Sequence, residues 1–146
     1  MTSIAFTLRP SVVIPDHRPL YKITQLLLVL LLASHGKKSS MVRLQLFNWV
    51  LKDEKRRAKL TNAPKTGEID FMAWGFDPAL DTALSLANAE GLIESTSTGV
   101  KLTHRGVDFC GSVIKEDLYA EDRAFLESLR TSITEKMVQA IVNKWV

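Results

Sequence analysis

The sequence predicts a mainly α-helical chain carrying one small β-hairpin. Three observations lead there. Apolar residues recur at helical spacing in five segments. Residues that start and stop helices bracket several of them. Near residue 97, two short apolar runs flank a Ser/Thr/Gly turn, which is a hairpin signal.

The first helix is expected from about Pro19 to Ala33, with Pro19 suited to a first helical turn and Gly36 to a left-handed stop. Leu20, Ile23, Leu27 and Leu30 make one stripe, and Leu28, Val29 and Leu32 cover the other sides. A helix apolar all round needs cover on every side. The second helix runs from about Ser40 to Lys52, capped by Ser39 or Ser40. It has two stripes, one of Leu44, Phe47 and Leu51, the other of Val42, Leu46 and Trp49. Asn62–Gly67 reads as a loop, punctuated by Pro64 and Gly67. Glu68–Trp74 fits either a strand or a short helical turn. The third helix is the best delimited: Asp77 is a natural cap, Pro78 the first helical residue and Gly91 the terminator. The hairpin follows between Leu92 and Thr103. Thr103 can cap a fourth helix carrying Val107, Cys110, Val113 and Ile114. A single long amphipathic helix is expected from near Asp117, with Leu126, Leu129, Ile133, Met137, Ile141 and Trp145 as its apolar face.

Three helices followed by a hairpin is the winged-helix plan, with the third helix in the recognition position. The expected organisation of the 146 residues is therefore an extended arm over 1–18, a winged-helix domain over 19–116, and a C-terminal helix over 117–146. In the arm, Pro10 and Pro15 oppose helix, and Ser11–Ile14 could form a short strand.

Composition narrows the function. Met1–Pro15 lacks a secretory pattern, and the most apolar run, Leu26–Ala33, is far short of the roughly 20 residues that span a bilayer. Cys110 is the one cysteine, so no intrachain disulfide can form. A cytoplasmic protein without membrane contact is expected. His17, His35 and His104 are scattered, and no phosphate loop, zinc motif or nucleophile elbow occurs. Cys110 lies on an apolar stripe, where a packed thiol outweighs a nucleophile. Paired acids such as Glu116-Asp117 and Glu121-Asp122 suit a helix start. The sequence thus predicts no enzyme, no catalytic residue, no cofactor and no metal.

Charge is unevenly spread. Residues 1–75 hold twelve Lys/Arg against five Asp/Glu, a net +7; residues 76–146 hold seven against eleven, a net −4. Lys52, Lys55, Arg56, Arg57, Lys59 and Lys65 form a basic stretch, and Lys37 and Lys38 are expected near it in space. The plain reading is a solvated loop. The sharper reading is contact with a DNA backbone, without sequence preference, or with an acidic partner. The recognition-position helix offers Asp81, Thr82, Ser85 and Asn88 outward, and no Lys or Arg occurs between Phe76 and Val100. A helix entering the major groove normally presents cations and amides, so a surface turned to protein contact is favoured over DNA readout. Trp49, Phe71, Trp74, Phe76 and Trp145 add large apolar area, and with Asp81 and Ser85 they are the candidate partner interface. The apolar excess predicts a protein partner or a second copy of the chain.

Two resemblances bear on identity. The stretch Ala89-Glu-Gly-Leu-Ile93 through Gly99-Val-Lys-Leu-Thr-His-Arg-Gly106 resembles the wing of many prokaryotic winged-helix proteins. Arg18-Pro-Leu-Tyr-Lys-Ile-Thr-Gln-Leu-Leu-Leu, then Lys38-Ser-Ser and Arg43-Leu-x-Leu-Phe-Asn-Trp49, is similar to the middle components of bacterial ABC-three-component conflict systems, the Lamassu type included. With the wing, the resemblance spans roughly residues 18–115. It implies a small winged-helix adaptor between an SMC-like ATPase and a toxic effector in an anti-phage or anti-plasmid complex. The alternative from another class is a transcriptional regulator that binds duplex DNA as a dimer through its terminal helix.

Overall fold

The computed structural model describes residues 19–145, so the expected arm and the strand at Ser11–Ile14 lie outside the described residues. The described residues form seven α-helices and a three-stranded antiparallel sheet.

Helix α1 (Pro19–Leu32) is the axis of the molecule. Every residue from Lys22 to Leu30 is buried, as a helix apolar on all sides demands. It packs against α2 (Met41–Leu51), α4 (Pro78–Ala89), α5 (His104–Lys115) and α6 (Ala120–Leu129). The chain leaves α1 through a short 3-10 turn, His35–Lys37. There Gly36 and Lys37 are both left-handed, at φ 65° and 57°.

Next comes strand β1 (Lys38–Ser40), which the sequence reading does not contain. Three residues are too few for an alternation signal. The strand exists because it pairs with a segment sixty residues away. β3 (Gly99–Leu102) is central, with β1 on one side and β2 (Ile93–Ser95) on the other. The registers are Ser39 opposite Val100 and Ser95 opposite Val100. Val100, Leu102 and Ile93 turn into the core, while Lys38, Lys101 and Glu94 lie exposed. Thr103 ties the hairpin shut: its hydroxyl donates to the Gly91 carbonyl at 2.6 Å and accepts from the Gly106 N–H, capping α5.

The expectations for residues 52–76 and for the C-terminal helix need correction. The basic stretch beyond Lys52 and the expected loop up to Thr66 are one helix, α3 (Glu54–Thr66). Asp53 caps its start, buried Leu60 and Ala63 hold it to the core, and left-handed Gly67 ends it. Pro64 removes only one backbone bond, in the last turn, and does not break it. Residues 68–76 are neither strand nor helix but irregular chain, anchored by buried Ile69 and Trp74.

The second correction concerns the long C-terminal helix, which is two helices, α6 and α7 (Glu135–Val142). Arg130 breaks the run with φ 50°, and Thr134 recaps it by accepting from the Met137 N–H. The apolar stripe stays in phase across the break, which is why spacing alone reads as continuous. Leu126, Leu129, Ile133, Val138 and Ile141 are buried in the same cluster as Ile23 and Leu27, so this segment completes the core that α1 needs.

Candidate functional site

Three surfaces carry the residues that the sequence singles out. The first is a cleft of about 260 Å³ between α4 and the sheet. Leu84, Ile93 and Val100 form its apolar floor, with Met41, Asp81, Ser85, Asn88 and Ser95 around them. Asp81 and Ser85 therefore meet in one place. Asp81 is the one charged side chain in that lining. Leu86 stands exposed on the same helix, a feature the polar pattern of α4 does not announce.

A polar cluster fixes how α4 is presented. The Asp77 carboxylate caps α4 by accepting from the Ala79 N–H. It also accepts from Lys22 Nζ at 3.0 Å, Lys52 Nζ at 2.9 Å and Asn48 Nδ2 at 3.3 Å. The Gln45 side-chain oxygen accepts from the Asp77 N–H at 2.9 Å. Lys22 is only 2% exposed, and a buried ammonium requires such partners. Burial pushes the Asp77 carboxyl up, but the bonds from Lys22, Lys52, Ala79 and Asn48 overcome that and hold it well below the usual carboxylate range. Lys52, read as a contact residue, is thus engaged in seating α4.

The second surface is helix α3 with the aromatic corner. Arg56 Nη1 donates to the Trp49 carbonyl at 3.0 Å, and Arg57 Nη1 to the Leu51 carbonyl at 2.6 Å. These are carbonyls in the last turn of α2, where the Trp49 carbonyl otherwise accepts only the long 3.4 Å bond from the Lys52 N–H. The two arginines therefore cap α2, a placement that suits its dipole. Arg56 also stacks over the Trp49 ring at 4.0 Å. Lys59 lies 3.6 Å from Asp70 and 5.5 Å from the centre of the Phe71 ring. Lys55 and Lys65 are exposed. The basic stretch is therefore neither a solvated loop nor a uniform cationic face.

The five aromatic residues form two groups of ring contacts. Trp49 meets Phe71 edge-on at 5.0 Å; Trp145 meets Trp74 at 5.1 Å and Phe76 at 6.4 Å. Trp145 Nε1 donates to the Met72 carbonyl at 2.9 Å, tying the end of the described chain to this corner. Trp74 Nε1 is buried without an acceptor among the described residues. Met72 is 93% exposed and Phe76 57%. A depression of about 660 Å³ beside them is lined by Lys59, Phe71, Met72, Lys144 and Trp145, among others. Nothing in the sequence pattern marks Met72, because the segment has no periodicity.

The third surface lies where β1, the hairpin turn and the start of α7 meet, around a groove of about 730 Å³. Lys38 lines it together with Thr98, Thr131 and Lys136. Buried Arg43 forms its base. Its guanidinium donates to the Ile133 carbonyl and to Ser34 Oγ, each at 2.8 Å, and to the Ala33 carbonyl. Burial pulls the guanidinium down to about 10, while Glu135 pulls the other way, so it stays charged at neutral pH. Lys37 and Lys38 are not beside α3 as expected. They sit at the opposite end of α2, whose eleven residues span about 16 Å.

Burial pushes the Cys110 thiol up to about 12, so it carries no thiolate at neutral pH. Among the described residues, no group of three His, Cys, Asp or Glu side chains could hold a metal ion, and no helix is long and apolar enough to cross a membrane. Comparison with protein-family models, with curated proteins and with solved structures found no match to this chain.

Proposed function

We propose that this chain is a winged-helix adaptor, a non-enzymatic cytoplasmic subunit that links an SMC-like ABC ATPase to an effector in a bacterial anti-phage or anti-plasmid complex. The order α1, β1, α2, α3, α4, β2, β3, with strand order β1-β3-β2, supports the winged-helix part. In that plan α3 is an added helix and α4 takes the recognition position.

One observation carries the adaptor reading. The cleft between α4 and the hairpin has an apolar floor, one carboxylate and no cation. Phosphate contacts supply most of the free energy by which such folds hold DNA, and this surface would oppose them. Apolar floors with polar rims are instead the anatomy of protein interfaces. The aromatic corner is a second such surface, and its lining shares no residue with the cleft. Two independent surfaces are what a linking subunit requires. The ATPase and the effector as partners come from the resemblance over residues 18–115.

The dimeric-regulator alternative is the less well supported reading. Leu126, Leu129, Ile133 and Ile141, the stripe on which dimerisation would rest, are buried in the chain's own core. The test is co-purification of the tagged chain from its host. The expected companions are a subunit with an ABC ATPase sequence and a second, effector-like subunit. Ser85→Arg with Leu86→Glu should deplete one companion at least ten-fold, and Met72→Asp with Phe76→Ser the other. Unchanged composition in both variants would overturn the reading. Sequence-specific duplex binding at physiological salt, abolished by the α4 variant, would replace it with the regulator.

A further inference from the structure

The groove between β1, the hairpin turn and α7 is built differently from the two surfaces assigned to protein. It has no Phe, Tyr or Trp in its lining, and Ile133 is its one large aliphatic residue. Its rim is made of lysines and hydroxyls: Lys38, Thr98, Thr131 and Lys136. The single carboxylate there is already occupied. Glu135 accepts from the Ser40 N–H at 2.9 Å and from Ser40 Oγ at 2.6 Å, and it faces the buried Arg43 guanidinium. Lys38 and Lys136 have no ion-pair partner among the described residues, so the groove carries a net positive charge.

The sheet beside it adds to this charge. Lys38 stands directly opposite Lys101 in the β1–β3 ladder, and both are exposed. Like charges placed opposite each other weaken a ladder, so pairing of the strands does not explain them. Glu94 flanks Lys101 on β2 and offsets one charge of that row. Lys37, held left-handed, leads into the same strand.

We propose that this groove seats the sugar–phosphate backbone of duplex DNA, without reading its sequence. Lysines and hydroxyls are the groups that contact phosphate and fix register. DNA interfaces are more positive than protein interfaces, which rely on aromatic anchors. The lack of any such anchor favours DNA over an acidic protein segment. The site moves the DNA contact from α3, where two of the cations cap α2, to the opposite end of that helix. It does not depend on the adaptor reading, because it rests on charge and lining alone.

Fluorescence anisotropy of a labelled mixed-sequence duplex of about 25 base pairs tests it, with the full chain titrated across salt concentration. Affinity should fall with salt by roughly 0.9 logarithmic units per decade for each phosphate contact. Lys38→Gln with Lys136→Gln should lower that slope by about 1.8 and weaken low-salt binding at least ten-fold. Arginine at both positions should restore binding, which separates lost contact from lost fold. Lys55→Gln with Lys65→Gln on α3 should leave both quantities unchanged. Absence of duplex binding at low salt would overturn the proposal, as would an equal loss in the α3 variant. Polyglutamate competing as well as unlabelled duplex of equal charge would overturn it too, in favour of an acidic partner.

Discussion

Asp77 receives Lys22 and Lys52 on one carboxylate oxygen, and Asp122 accepts from the uncharged Gln25 amide, at 3.0 Å. That difference reverses the direction in which each responds to acid. Asp77 is held below its ordinary range, so the unfolded chain takes its proton first. The stability it contributes is complete above about pH 4 to 5 and is lost as pH falls toward its folded value. Asp122 is pushed up by burial, which the Gln25 hydrogen bond and the charge of Arg57 only partly offset. The folded chain takes that proton first, so Asp122 adds stability as pH falls through its folded value. Asp77→Asn keeps a side chain able to cap α4 but removes the carboxylate beside buried Lys22, and should cost about 3 kcal/mol at pH 7. Asp122→Asn should be neutral or stabilising at pH 7 and should abolish the gain on mild acidification. Urea unfolding of both variants from pH 3 to 7 checks the pair. A loss above about 1 kcal/mol at pH 7 for Asp122→Asn would show that the paired charge outweighs its burial. The cap role of Asp77 is legible in the sequence, from Asp-Pro before an apolar stripe. The arrival of Lys22 is not, because a lysine ahead of a leucine run carries no signal of a partner 55 positions away.

The same division holds for elements. Helices α1, α2, α4 and α5 are legible because local punctuation and local spacing agree. β1 is not legible, because only β3 gives it a reason to be extended. Gly99 shows how tight that pairing is. A Cβ there would lie 2.0 Å from the Ser39 carbonyl oxygen and 2.8 Å from the Ser40 Cα, both backbone atoms. Gly99 reads in the sequence as a turn residue, yet its φ is not in the left-handed range, and its role is to let β1 approach. Gly99→Ala should therefore cost about 3 kcal/mol and pry β1 from the sheet. Hydrogen exchange of the Ser39 and Val100 amides measures it. Full protection of both amides in the variant would contradict the close-approach account. The α6–α7 break has a legible half: Thr134-Glu135 is a fair helix start. The competing half is a stripe that stays in phase through Ile133. With the run broken at Arg130, Arg43 takes the Ile133 carbonyl at 2.8 Å, an acceptor that a continuous helix would pair with the Met137 N–H.

At the scale of the whole molecule, the surfaces combine residues that no local reading brings together. Lys38 meets Lys101 and Lys136 only because β1 lies between the hairpin and α7. Met72 and Phe76 meet Trp145 only because α7 folds back across the core. The division into a body over 19–116 and a tail over 117–146 is a statement about cooperativity, and the packing argues for one unit. Leu126, Leu129, Ile133, Val138 and Ile141 are each less than 5% exposed. At about 1.5–3 kcal/mol for each buried side chain, their removal forfeits roughly 10 kcal/mol, as an upper figure. A domain of this size has only about 5–15 kcal/mol in total. A fragment ending at Glu116 should consequently fail to fold, binding a hydrophobic dye and losing most helical circular dichroism. The intact chain should unfold in one urea transition, with tryptophan fluorescence and far-ultraviolet dichroism coincident. The probes are well placed, since Trp49, Trp74 and Trp145 all report the corner that α7 closes, while dichroism reports every helix. Separated transitions, or a folded fragment, would make the tail a docked module. The aromatic corner would then be an internal joint rather than a surface offered to a partner.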